Sequence, residues 1–145
     1  MIERQYQLTL NFKVLVKDIT KESVTRDYQY RRGFKEAAAD PEFWELIDAQ
    51  RELLEALTRH EDILEEFIKR TIIWQIERPE EGILAPALNV RIDDENMLEP
   101  IIAELDEGPK SYFEEGIEYG EFGDYIEQVT SSIRATVTGV RLTEI

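Results

Sequence analysis

Side chains able to do nucleophilic or acid–base chemistry near neutral pH are scarce in this chain. It has no cysteine and a single histidine, His60. A thiol nucleophile, a disulfide framework and a cysteine-based zinc site are therefore excluded. His60 has the only side chain whose unperturbed titration lies near neutrality. It stands beside Glu61 and Asp62, and these three are the best set the chain offers for carboxylate catalysis. The simpler reading is a residue at a helix junction making a local hydrogen bond. Ser23, Ser111, Ser131 and Ser132 lie in no nucleophile elbow of the G-x-S-x-G kind. One histidine cannot supply the paired Glu-x-x-His ligands of a di-iron bundle. Asp93-Asp94-Glu95-Asn96 lacks the spacing and the turn glycine of a calcium loop. It reads as the acidic start of a helix. No catalytic residue, metal site or cofactor is expected.

The least ordinary stretch is 111–127, where five aromatics alternate with six acids. Its glycines at 116, 120 and 123 do not have the spacing of a phosphate loop, and the surrounding carboxylates would repel a phosphate. Aromatic residues are enriched at the cores of protein interfaces, and acids beside them select a basic partner. Tyr112, Glu114, Glu115, Glu118, Tyr119, Glu121 and Asp124 are the candidate binding residues. Glu121, Asp124 and Glu127 are spaced to share one helical face. The competing reading turns Phe113, Ile117, Phe122, Ile126 and Val129 into the core and leaves the acids as a solvated face.

The charge balance supports a binding role and narrows the partners. There are 32 acidic and 17 basic side chains in 145 residues, a net charge of −15. Such a chain disfavours direct binding to nucleic acid or to anionic membranes. The sign is unevenly spread. Residues 1–35 hold eight basic and four acidic side chains, whereas 93–127 hold 13 acids and one base, Lys110. The basic group (Arg4, Lys13, Lys17, Lys21, Arg26, Arg31, Arg32 and Lys35) can meet the acidic segment within one chain or across a homo-oligomer.

The elements that must position these residues follow from periodicity. Over 5–17, Tyr6, Leu8, Leu10, Phe12, Val14 and Val16 alternate with polar residues, apart from Leu15. This predicts a long half-buried strand. Thr20 is placed to cap a helix reaching about Ala39, with a strand over 24–30 as the rival reading. Asp40-Pro41-Glu42 is a strong helix start, and Phe43, Leu46, Ile47, Leu53, Leu54 and Leu57 form its apolar stripe. Thr58-Arg59-His60-Glu61 fits a capping box for a next helix to about Ile76. That helix ends apolar nearly all round, which predicts central burial.

A break at Glu77–Gly82 leads into an apolar run over 83–88, too short to span a bilayer. A short strand is expected near Leu88–Ile92. A helix begins at Asp93-Asp94 and reaches Leu105, with Pro100 in its first turn or at a kink. Another starts at Pro109, and helical spacing resumes from Phe122 to Ile133. Arg134 to Leu142 is rich in β-branched residues and reads as a strand.

The expected fold is a single α+β domain over 1–145. Long N- and C-terminal strands pair in a small antiparallel sheet, packed against four to six intervening helices. The N-terminus has no secretory pattern, and a cytoplasmic protein is expected. The expected function is a noncatalytic protein–protein interaction or regulatory domain. Its partner would be an unidentified protein with a basic surface, and homo-oligomerisation is a further possibility. The alternative is a nucleic-acid mimic inhibiting a DNA- or RNA-binding protein. A carboxylate enzyme ranks third, and it requires a cleft lined by carboxylates of raised pKa.

Overall fold

The computed structural model describes residues 1–78 and 87–145. The break expected at Glu77–Gly82 and the apolar run over 83–88 lie largely outside these residues. Eight helices and three strands are seen among the described residues. In order they are β1 (Tyr6–Val16), α1 (Lys21–Tyr28), α2 (Phe34–Ala38), α3 (Pro41–Arg59), α4 (Glu61–Ile76), β2 (Ala87–Asn89), α5 (Glu95–Ile102), α6 (Glu107–Glu118), α7 (Phe122–Tyr125), α8 (Glu127–Ser132) and β3 (Ile133–Glu144). The class is α+β, and the chain ends pair as the alternation predicts. The helices number eight because two expected segments are each split.

The sheet has the order β1-β3-β2, with both pairings antiparallel. The β1–β3 register runs from Tyr6 opposite Glu144 to Val16 opposite Ile133. Backbone hydrogen bonds close both ends, Ile145 N–H to Gln5 O at 2.9 Å and Lys17 N–H to Ser132 O at 2.8 Å. Asn11 faces Gly139 and Phe12 faces Val137, so Thr138 is an extra residue in β3. That bulge increases the local twist and bends the ribbon. Its hydroxyl donates to Asn11 O at 3.2 Å.

Below the bulge Ile133 and Ala135 are buried, and Phe12 packs against the core. β2 pairs only with Arg134–Thr136. Above the bulge no third strand is paired with the ribbon among the described residues. The strand expected to be half-buried is mostly exposed: nothing among the described residues covers Tyr6 and Leu8 above the bulge, and Val14, Leu15 and Val16 below it are also 37–44% exposed.

The helices follow their local signals with instructive departures. Thr20 caps α1 in a reciprocal box with Ser23, each backbone N–H reaching the other's hydroxyl at 3.0 Å. The segment to Ala39 is two helices, not one, because Gly33 adopts a left-handed conformation (φ +83°) between them. The strand alternative over 24–30 is replaced by α1 and a turn. Asp40 caps α3, its carboxylate accepting from Glu42 N–H at 3.0 Å, with Pro41 in the first turn.

The capping box read at Thr58 does not form. Thr58 donates to Glu55 O at 2.7 Å inside α3, and His60 is the N-cap of α4 without a side-chain cap bond. α4 ends at Ile76 as expected, but Ile73 and Ile76 are 54% and 59% exposed, so its last turn is not central. Asp94 caps α5, which stops at Ile102 rather than Leu105 with Pro100 inside it. α6 begins two residues before Pro109, which sits in its first turn. α3 is the hub of the body, touching α2, α4, α5, α6 and α8. Its Leu53 and Leu57 are fully buried with Phe67 of α4, Leu98 and Ile101 of α5, and Phe113 of α6.

Candidate functional site

The acid–aromatic stretch folds as α6, a turn, α7 and α8. α6 ends in a Schellman motif. Gly120 is left-handed (φ +69°), its N–H reaches Ile117 O at 3.3 Å, and Glu121 N–H reaches Gly116 O at 2.8 Å. Gly116 is buried, and a Cβ there would stand 3.1 Å from the Tyr125 ring, so it allows α7 to close on α6. Helical continuity fails at Ile126, so Glu121, Asp124 and Glu127 do not lie on one helical face.

The aromatics mostly turn inward. Phe113 and Phe122 are buried and meet edge to face, 6.4 Å between centroids. Tyr125 is half-buried against Gly116. Burial raises its phenol pKa first, and the Glu115 and Glu121 charges raise it further. Tyr112 is half-buried, and its hydroxyl donates to Glu45 Oε2 at 2.6 Å. That bond, then burial, then the Glu45, Glu42 and Glu115 charges push its pKa up to about 12. Of the aromatic candidates only Tyr119 is open, at 65% exposure.

Glu114, Glu115, Glu118, Glu121 and Asp124 are all exposed. Glu114 pairs with Lys110 at 3.9 Å. The other four have no ion-pair partner among the described residues. The basic N-terminal group meets the acidic segment at one point, Arg31 to Glu127 at 3.6 Å. Arg31 also lies over the Tyr28 ring at 4.0 Å. Lys17 holds Asp27 at 3.0 Å, and this hydrogen bond keeps the Asp27 carboxyl below its usual range.

The enzymatic candidates are dispersed. His60 Nε2 lies 2.9 Å from Glu104 Oε2, a partner 44 residues away rather than a local one. Glu61 and Asp62 are exposed in the first turn of α4. A cleft of about 240 Å³ opens between α1, α2, α3 and α8, walled by Tyr28, Phe34, Phe43 and Ile47. Its carboxylates, Asp124 and Glu127, are exposed. Glu52 has its pKa raised, by burial and then by Asp106, but it does not line this cleft. At the cleft floor are Gln50 and Gln128, both buried. Gln50 Oε1 accepts from Gln128 N–H at 2.7 Å, and Gln128 Nε2 meets the Tyr28 hydroxyl at 2.7 Å. This network lacks a sequence signature, since its members are 78 and 100 residues apart. Asp94 is held by Arg70 at 3.1 Å as well as capping α5. Among the described residues, no three His, Asp or Glu side chains are grouped to hold a metal ion. No helix among them is long and apolar enough to cross a membrane.

The surface that sequence reasoning passed over is the ribbon above the bulge. Tyr6, Leu8 and Leu10 stand opposite Glu144, Leu142 and Val140, so their side chains share one face. Leu8 and Leu142 are 56% and 64% exposed, and Tyr6 and Val140 are also open. Below the bulge the same face contributes Ile133 and Ala135 to the core. The alternation marked these residues as apolar-facing, but nothing in the sequence marked where the cover would end. No family model, curated protein or solved structure matches the chain.

Proposed function

We propose that this protein is a noncatalytic protein–protein interaction domain. The bare apolar face of the β1–β3 ribbon carries this reading. Tyr6, Leu8, Leu10, Val140 and Leu142 form one contiguous apolar patch, with Leu8 and Leu142 at 56% and 64% exposure, and the largest such patch on a protein surface is often functional. The uncompensated acids on α6 and α7, with Tyr119 among them, add a second contact suited to a basic partner. A cytoplasmic setting belongs to the same reading.

The test is capture of partners from lysate of the source organism. Three baits are compared: wild type, Leu8→Lys with Leu142→Lys, and Glu118→Lys with Glu121→Lys. The ribbon variant is expected to lose capture about tenfold or more while keeping its helical circular dichroism. The charge-reversed variant is expected to lose basic partners selectively. Equal capture by all three overturns the reading. Release of the partner by added duplex DNA would replace it with nucleic-acid mimicry.

A further inference from the structure

We infer that the partner on the ribbon is a second copy of this chain, stacked on it face to face about a two-fold axis. This rests on reading the domain as an interaction protein and names the occupant of that surface. The contacting face is self-complementary. Above the bulge it is built from Tyr6, Leu8, Leu10, Val140 and Leu142, with Glu144 as its one charged residue, at the tip. The cations Lys13, Arg134 and Arg141 project from the opposite face. Two ribbons can therefore meet without bringing like charges together. Lys13 and Lys17 also discourage open-edge pairing along β1, so a stacked arrangement is favoured over a continuous sheet.

The area and the absence of net charge on the ribbon fit this occupant. Complete cover of these five residues in both copies would bury at most about 1,000 Å², the lower bound for a specific interface. With the two-fold axis across the strands the ribbons run antiparallel, and each tip points toward the other copy's helical body. Above the bulge the ribbon holds two basic side chains, Arg4 and Arg141, and two acidic, Glu3 and Glu144, so two stacked ribbons carry no net charge against each other. Tyr6 is the aromatic anchor of the contact. A projecting two-stranded ribbon is marginal alone, and stacking gives it the second layer it lacks.

Sedimentation velocity on the purified full chain tests this. Wild type is expected at twice the 17.0 kDa chain mass, and Leu8→Lys with Leu142→Lys at the single-chain mass with unchanged helical circular dichroism. Wild type sedimenting as a monomer at every concentration up to about 100 μM overturns the inference. Cysteine scanning keeps the question decidable if the double variant misfolds, because the chain has no cysteine. Leu142→Cys, on the apolar face, is expected to cross-link into a dimer on mild oxidation at least tenfold faster than Thr9→Cys, on the other face. Equal rates overturn stacking. A monomeric wild type whose lysate capture still depends on Leu8 and Leu142 would sink the second copy and spare the interaction reading. Loss of neither mass nor capture in the variant would sink both.

Discussion

Tyr112 and Glu45 form a contact whose strength depends on which of the two carries the proton. The phenol donates to a carboxylate, so ionising the tyrosine would place two negative charges 2.6 Å apart. This is why the folded pKa rises to about 12. The ordinary tyrosine value is about 10. The folded state thus holds the proton more tightly than the unfolded chain. The contribution to stability is complete below about pH 10 and is lost as pH climbs toward 12. An absorbance titration should show one tyrosine ionising near pH 12, and Tyr112→Phe should delete that step. Glu45→Gln should move it down by about a pH unit or more, because the charge disappears. An unchanged last step in either variant would contradict the geometry. Gln50 makes a different demand. Its side chain accepts the buried Gln128 N–H at 2.7 Å, and an isosteric apolar residue there leaves that donor unpaired. Gln50→Leu should cost about 1–3 kcal/mol in urea unfolding. A near-neutral midpoint would mean that water satisfies the donor.

At the scale of elements, α3 does most of the organising, since the other long helices pack on it. Leu53→Ala removes a fully buried side chain from that hub and should cost about 2–5 kcal/mol. The α6–α7 corner depends on two glycines for different reasons. Gly120→Ala forces a left-handed residue and should cost about 1 kcal/mol. Gly116→Ala drives a methyl into the Tyr125 ring and should cost about 1–3 kcal/mol. If Gly116→Ala costs less than Gly120→Ala, the corner gives way more easily than its packing implies. Elements whose signals are local were legible in advance. Asp40-Pro41, Thr20 and the alternation of β1 each fix a boundary within a few residues. Thr58 was misread because its hydroxyl has two possible partners, and the carbonyl inside α3 won. The end of α4 was misread because an apolar composition does not say whether anything packs over it. The inward turn of Phe113 and Phe122 was one of two readings left open, and only their packing partners decide between them.

The whole molecule is governed by a charge imbalance that composition states and sequence order alone cannot place. Every ion pair among the described residues joins side chains at least a quarter exposed. Pairs of that kind contribute at most about 1 kcal/mol each and are screened by salt. Against them stands the mutual repulsion of the acids in a chain of net charge −15. Both effects weaken as ionic strength rises, so the sign of the salt response reports which is larger. The pairs are few, and the acids of α6 and α7 are mostly unpaired, so repulsion should dominate. Raising sodium chloride from about 10 to 150 mM shortens the Debye length from roughly 30 to 8 Å. At fixed protein concentration this should raise the melting temperature by roughly 3–5 °C, equivalent to about 1 kcal/mol. Leu8→Lys with Leu142→Lys adds two positive charges to a chain of net charge −15, which lowers the repulsion that salt screens. Its melting temperature should therefore respond less steeply to salt than wild type does. A fall with salt in both proteins would mean that the surface pairs, sparse as they are, outweigh the repulsion.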